Sequence, residues 1–267
     1  MNSARRLALG LLSLLLILAS SAAALMPTAA EGAPPAARTK TSIELTRTSP
    51  LEVDTGGSVT LDGKAPKALR GKRLTVEYRL PGSETWAKVG AKKVGEDRTF
   101  TVTVRAGGSG TAQWRVRSGK IGKKQTVHVS DPVSALVFSW YYLYDLDSVD
   151  SLDFTRGSTS IGGNPYTKSV YGRQYSSGYV EYNLSYRCKT FAASLGLDDD
   201  SDTDARYQLV SALDGAAVNH GVFAPGVATA VTRDTRSVFR IKLSYSRTGD
   251  YGYPTFGDAR VLCAGAP

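Results

Sequence analysis

Hydrophobic and polar residues alternate along most of this chain in short runs, the pattern of β-strands rather than helices. The most regular stretch runs from Tyr182 to Leu197. Its first run places on one face Tyr182, Leu184, Tyr186 and Cys188, and its second places on one face Phe191, Ala193, Leu195 and Leu197. A period of two predicts half-buried strands in an antiparallel sheet.

Residues 41–130 contain several such runs, each ended by a turn signal. Examples are Val59 and Leu61 before Asp62-Gly63, and Phe100, Val102 and Val104 before Gly107-Gly108. Short strands at near-regular spacing, with no helical period between them, predict a β-sandwich. The segment resembles the bacterial immunoglobulin-like domains of exported proteins. That likeness rests on the runs 57–63, 73–80, 86–89 and 114–117, together with Phe100.

The composition changes at Asp131-Pro132, and residues 131–267 are rich in tyrosine. Phe138 to Leu146 predicts a first buried strand, and Phe239, Ile241, Leu243 and Tyr245 predict a later one. Residues 158–178 and 247–256 are rich in Gly and Tyr, which predicts surface loops. Together these runs predict an antiparallel two-sheet jelly roll, so the whole fold is expected to be all-β.

The first thirty residues have the pattern of a signal peptide. Arg5 and Arg6 precede an apolar run, and small residues at 22–24 and at 28–30 offer two cleavage sites. The run is too short for a good membrane span. Residues 31–40, rich in Ala and Pro, predict a flexible leader. We therefore expect a secreted, extracellular protein.

The net positive charge of the chain lies in its first half. Residues 32–130 carry a net charge of +11, whereas residues 131–267 carry −3. A basic exported domain suits an anionic cell-wall polymer, an acidic polysaccharide or released nucleic acid, and nucleic acid is the least expected. The alternative is that these lysines and arginines only keep the domain soluble.

The two cysteines predict one structural disulfide. Cys188 follows the inward-facing series of its strand, and Cys263 follows Ala259 and Val261 in the same manner. Two cysteines in an exported chain most often pair, and neither has the CxxC partner of a reactive thiol.

Residues 141–263 resemble the NPCBM family, the carbohydrate-binding jelly rolls of the galactose-binding-like class. The matching runs, in family order, are 142–146, 182–184, 191–199, 214–215, 221–222 and 256–261. The resemblance implies a non-catalytic module that binds glycan or cell wall. The family's Gly-rich stretch with His and its loop ending in Trp are replaced here by 168–173 and 251–256. That difference favours the alternative, a structural or protein-binding module that has lost sugar binding.

Sugar recognition needs an aromatic face and a few fixed polar groups. Candidate ligand-binding residues in the two predicted loops are Tyr171, Arg173, Tyr175, Tyr251 and Tyr253. The other interpretation is that these tyrosines close the loops over the core.

Clustered carboxylates at Asp198, Asp199, Asp200 and Asp202 raise the hypothesis of a structural calcium ion, against a merely solvated acidic loop. The run lacks the glycine and the glutamate that an EF-hand loop requires. No other cofactor is expected.

No catalytic motif is present in the sequence. Its two histidines, His128 and His220, lie in different predicted domains, and the chain contains no GxSxG or HExxH motif. We therefore predict that the protein is not an enzyme, and the remaining alternative is a secreted hydrolase whose site is not recognised.

Overall fold

The structure is a computed structural model that describes residues 39–80, 82–123 and 125–267. The predicted signal peptide and nearly all of the predicted leader lie outside the described residues. The described chain is all-β, as the alternating pattern predicts. Short 3₁₀ helices occur at Lys67–Leu69 and Leu143–Asp145.

The strands of the first half are β1 (Thr39–Ser49), β2 (Glu52–Asp54), β3 (Ser58–Lys64), β4 (Arg73–Arg79), β5 (Ala87–Lys93), β6 (Thr99–Arg105), β7 (Gly110–Ser118), β8 (Val127–Ser130) and β9 (Val133–Tyr142). Those of the second half are β10 (Asp150–Leu152), β11 (Phe154–Ile161), β12 (Asn164–Gly172), β13 (Ser177–Asn183), β14 (Cys188–Leu197), β15 (Tyr207–Leu213), β16 (Ala216–Phe223), β17 (Thr229–Asp234), β18 (Arg240–Arg247) and β19 (Pro254–Cys263).

Within the described residues these strands form one fourteen-stranded sheet and one five-stranded sheet. The large sheet follows the path β11-β12-β19-β9-β7-β8-β1-β3-β6, with β14, β17, β2, β4 and β5 attached beside it. The small sheet has the order β10-β13-β18-β15-β16 and is antiparallel throughout. The pairs β1–β8 and β2–β9 are parallel, so the large sheet is mixed.

Two separate hydrophobic clusters give the described chain two cores. The first core is built around Trp114, Leu61 and Leu74, from strands β3, β4 and β7. The second is built around Phe191 and Phe256 of the large sheet and Tyr207 of the small sheet. Each core lies between two layers of strands, because alternate residues of each strand face inward.

Strand β9 belongs to both halves. Its first residues, from Val133 to Val137, pair with β7, and Val137 is fully buried in the first core. Its last residues, from Ser139 to Tyr142, pair with β19, and Tyr141 packs against the second core. The predicted boundary at Asp131-Pro132 lies directly before this strand and stays a prediction.

Side chains reinforce the junction beside β9. The Lys189 ammonium group lies 3.1 Å from Oδ1 of Asp54 and 4.0 Å from the centre of the Phe138 ring. The Thr55 hydroxyl donates to the carbonyl oxygen of Phe138 at 3.1 Å. The two halves are therefore joined by backbone pairing and by a half-buried cation as well as by chain connection.

Cys188 and Cys263 form a disulfide bond, as their positions on inward faces predict. They stand opposite each other on β14 and β19, and both are buried in the second core. The bond therefore links two strands that are already paired.

Two expectations about local structure are wrong. The alternation from Tyr182 does not continue to Tyr186, because Ser185 and Tyr186 adopt positive φ angles of 51° and 58° and turn the chain. The Tyr186 side chain is 66% exposed and stacks against Phe239 at 5.3 Å between ring centroids.

Residues 158–178 were expected to form a surface loop, but most of them form strands β11 and β12 and the start of β13. The reason is the turn Gly162-Gly163, where both residues have positive φ angles of 58° and 77°. Two central residues of this kind suit a tight two-residue hairpin. Ile161 pairs with Asn164 across it, and Ile161 is fully buried.

Candidate functional site

The structure places four of the five predicted ligand-binding residues in two loops at one end of the second half. Arg173 and Tyr175 lie in the loop between β12 and β13, and Tyr251 and Tyr253 lie in the loop between β18 and β19. We call this region the loop end. Tyr171 is different, because it lies within β12 with its ring against Gly157. The expectation of a loop position is therefore wrong for Tyr171.

Two buried tyrosines of the second core form hydrogen bonds to the backbone of these loops. The Tyr207 hydroxyl donates to the carbonyl oxygen of Tyr175 at 3.4 Å and accepts from the amide of Gly252 at 3.3 Å. The Tyr245 hydroxyl lies 3.2 Å from the carbonyl oxygen of Arg173, to which it donates. The two rings meet edge to face, 5.7 Å apart. Both loops thus rest on one pair of phenol rings.

Burial raises the pKa of both supporting phenols above the ordinary value. Their hydroxyl groups therefore keep their protons and remain donors throughout the neutral range. Space for the Tyr245 ring comes from Gly172 and Gly178, where a Cβ atom would fall 2.2 Å and 2.7 Å from its Cε1 atom. Gly172 and Gly178, both predicted as loop residues, thus leave the space that the Tyr245 ring occupies.

The exposed surface of the loop end is aromatic and cationic. Tyr175 and Tyr251 are each 51% exposed. The guanidinium group of Arg247 lies 4.1 Å from the centre of the Tyr251 ring. Arg173 is exposed and Tyr253 is half-buried. An arrangement of this kind offers ring faces and several N–H donors to a ligand rich in hydroxyl groups.

The acidic loop lies beside the loop end and is attached to it through backbone hydrogen bonds. The Asp202 amide donates to the carbonyl oxygen of Tyr251 at 3.2 Å, and the Asp198 amide donates to that of Tyr253 at 3.0 Å. The side chain of Ser201 accepts from the amide of Tyr253. No pattern in the sequence indicated that these segments would meet.

Two of the four predicted metal-binding carboxylates are occupied by hydrogen bonds. The Asp199 carboxylate accepts from the Ser160 hydroxyl at 2.7 Å and from the amides of Gly162 and Gly163 at 2.7 and 2.9 Å. These bonds hold its pKa below the ordinary value, the Ser160 bond most of all. Asp198 accepts from the amides of Ser160 and Asp200.

Across the residues that the structure describes, no group of three or more His, Cys, Asp or Glu side chains is arranged to hold a metal ion. Asp198 and Asp199 instead fasten the acidic loop to the β11–β12 hairpin. The calcium hypothesis for Asp198, Asp199, Asp200 and Asp202 stays a prediction.

A second polar and aromatic surface lies on the outer face of β9, β19, β14 and β17. Here Arg260 stacks 4.8 Å from the Trp140 ring and 5.9 Å from the Tyr142 ring, and Trp140 is 41% exposed. Beside this row is a groove of about 290 Å³. Its lining includes Tyr166, Ser194, Thr232, Asp258 and Arg260. The alternation of Trp140 with Tyr142 is a signal of this face, and the prediction of a buried strand over Phe138 to Leu146 is wrong for Trp140, which is exposed.

The structure also brings a serine and a histidine together. Ser211 Oγ lies 2.8 Å from His220 Nε2, and an Nη1–H group of Arg233 donates to the Ser211 carbonyl oxygen at 2.7 Å. Ser211 is fully buried, so its hydroxyl has no route to a substrate. Because Ser211 and His220 belong to the small sheet and Arg233 to the large one, the cluster closes one edge of the sandwich.

Comparisons with known proteins do not bear on this geometry. No protein-family profile matches the chain, and no curated protein matches it. Among solved structures, the chain aligns to human GIVD cytosolic phospholipase A2 in complex with an inhibitor and terbium chloride. That alignment has 9% identity and a TM-score of 0.18, and it covers 73% of this chain and 33% of the phospholipase. At that TM-score it carries no argument about fold or activity.

In the described part of the chain, no helix is long and apolar enough to cross a membrane.

Proposed function

We propose that this protein is a secreted, non-catalytic binding protein whose second half binds glycan or cell-wall polysaccharide at the loop end. The supporting observation is the pair of exposed rings, Tyr175 and Tyr251, on two loops that rest on the same buried tyrosines. Loops held in this way lose little conformational entropy on binding, which favours affinity for a flexible sugar. The sequence resemblance of residues 141–263 to the NPCBM family supports the same ligand class.

The residues in this proposal have separate roles. Tyr175 supplies a ring face for the C–H side of a pyranose ring, Tyr251 supplies the ring face opposite Arg247, and Tyr253 supplies a half-buried wall. Arg173 supplies charged N–H donors to hydroxyl oxygens. Tyr171, on β12 beside these loops, extends the aromatic surface. A structural calcium ion in the acidic loop would act by holding the neighbouring segment of Tyr251 and Tyr253, with no direct part in sugar contact.

Binding of the full-length chain to a glycan array and to isolated cell-wall polysaccharide tests this proposal. Tyr175→Ala and Tyr251→Ala should each weaken retention about tenfold, the equivalent of one stacking contact. Tyr186→Ala is the matched control, because Tyr186 is a tyrosine outside the loop end that is 66% exposed, more than either loop tyrosine. Retention that is insensitive to both loop substitutions would contradict the site. Parallel measurements with calcium and with chelator test the acidic loop.

A second candidate function is protein binding near the junction of the two halves. Leu51, Leu136, Tyr186 and Phe239 are large apolar side chains that remain exposed. Leu136 and Tyr186 also line a depression of about 360 Å³ with the cations Arg187, Lys189 and Arg236. Exposed apolar surface rimmed by charge is typical of protein-interaction sites. Failure of the chain to retain any glycan while it stays folded would favour this function.

A further inference from the structure

The outer face of strands β4, β5 and β7 in the first half carries an ordered set of cations. Residues paired across these strands share a face, and inward positions such as Leu74 and Val116 are fully buried. The outward cations are Arg73, Arg79, Lys88, Lys93, Arg115 and Arg117. We call this surface the cationic face.

The three strands contain a single acidic residue, Glu77, and it does not neutralise the cationic face. Glu77 is only 7% exposed. Its carboxylate accepts from Arg115 Nε at 2.7 Å and from Arg117 Nη1 at 3.4 Å. One buried carboxylate shared by two guanidinium groups restrains their positions and uses only one N–H group of each.

A second contact fixes the other end of the face. The Trp86 ring has the guanidinium groups of Arg79 and Arg115 at 4.8 and 4.2 Å from its centre. Arg79 Nε also donates to Gln113 Oε1 at 3.1 Å. Three of the four arginines are therefore held by specific partners before any ligand arrives, which lowers the entropy lost on binding.

The spacing of the charges suits a linear polyanion. Alternate residues of one strand are about 7 Å apart, and neighbouring strands are about 5 Å apart. Cations at these intervals on one sheet face can engage successive charges of an extended polymer at the same time. Arginine is also the side chain best matched to phosphate, because its fork of donors bonds two oxygens together.

We propose that the cationic face binds a phosphodiester-linked polyol or sugar polymer. This inference does not depend on glycan binding at the loop end, which lies in the other half of the chain. The polymer is favoured over single-stranded nucleic acid because nucleic-acid surfaces of this kind use open aromatic rings as stacking platforms. Among the described residues of the cationic face and its border, Trp86 is the one aromatic side chain, and guanidinium groups already stack on it.

The test measures binding of the full-length chain to poly(glycerol phosphate) at several salt concentrations. Lys88→Gln with Lys93→Gln removes two cations that have no part in holding Glu77. We expect at least tenfold weaker binding and a smaller dependence of affinity on salt, by about one unit of log–log slope per lost contact. The matched control is Lys64→Gln with Lys67→Gln, exposed lysines with no place on the cationic face.

A charge-conserving substitution separates geometry from net charge. Arg117→Lys keeps the positive charge and should still weaken binding severalfold, because lysine lacks the donor fork. Equal losses for the control pair and for Lys88→Gln with Lys93→Gln would overturn the proposal, since net charge alone would then explain binding. Equal or tighter binding of single-stranded DNA, lost on the same substitutions, would also overturn it by assigning nucleic acid as the ligand.

Discussion

The two halves of the described chain have similar strand architecture but place their polar chemistry differently. The first half has a core of mostly aliphatic residues and no cysteine, and several of its arginines lie on the outer face of a sheet. The second half has a disulfide and a set of buried tyrosines, and two of those tyrosines support loops. Regularly spaced cations on a sheet face suit a linear polyanion, whereas loops held in fixed positions suit a ligand such as a sugar that is recognised by its shape. The same fold class therefore offers two kinds of surface in one chain.

The largest expected difference between the halves concerns the disulfide. Cys188→Ala with Cys263→Ala opens a loop of 75 residues, which should cost on the order of 4 kcal/mol of unfolding free energy. Hydrogen exchange should show that strands β14 and β19 lose protection before β3 and β6 of the first half. Equal loss of protection in both halves would show that the cores unfold as one unit.

The next largest effect is expected from the close packing of the Tyr245 ring against Gly178. Gly178→Ala places a Cβ atom 2.7 Å from the Leu152 carbonyl oxygen and from the Tyr245 ring, so it should lower the unfolding free energy by about 2 kcal/mol. Gly119→Ala is the matched change in the first half, because a Cβ atom there would meet nothing within 4 Å. Chemical denaturation of the two variants measures the difference, and equal midpoints would contradict the packing argument.

A smaller effect is expected from the support of the loops. Tyr207→Phe removes the hydroxyl that bonds Tyr175 and Gly252, at a cost of about 1 kcal/mol. The amides of residues 173–176 and 250–253 should then exchange faster with solvent. Tyr182→Phe removes a buried hydroxyl from the same core away from these loops, and should leave their exchange unchanged. Unchanged exchange in both variants would show that the loops do not depend on Tyr207.

The smallest effect is the pH dependence from His220. Burial, and then the charge of Arg233, lowers the pKa of this imidazole from its ordinary value of 6.5. The unfolded chain therefore takes up the proton first as the pH falls, so stability is full above pH 6.5 and declines below it. The wild type should lose stability between pH 7.5 and pH 5 relative to His220→Gln. Parallel stability curves would contradict the assignment.

Alternation along the sequence predicted the all-β class and the inward positions of Phe191, Leu195, Cys188 and Cys263, because burial of one strand face leaves a direct mark on the chain. Turn geometry was harder to predict. Gly162-Gly163 was interpreted as part of a loop, although two adjacent glycines also suit a tight hairpin. The chain reversal at Ser185 and Tyr186 uses positive φ angles at residues that seldom adopt them.

The candidate surfaces were only partly predictable for a related reason. The aromatic composition of the loop end was visible in the sequence, but its support by Tyr207 and Tyr245 depends on contacts between residues more than thirty positions apart. The same holds for the cationic face. Net charge indicated a basic first half, whereas the burial of Glu77 beneath Arg115 and Arg117 depends on the pairing of β4 with β7.

Strand β9 has a consequence for how such a protein could be divided or recombined. A fragment that begins at residue 131 would carry Val133, Ala135 and Val137 without the first core that buries them. Its strand edge, now without β7, would be free to pair with another copy of itself. Recombining the two halves separately would thus leave an unpaired, aggregation-prone strand edge at each new boundary. The two halves are expected to be inherited together, as a single unit of descent.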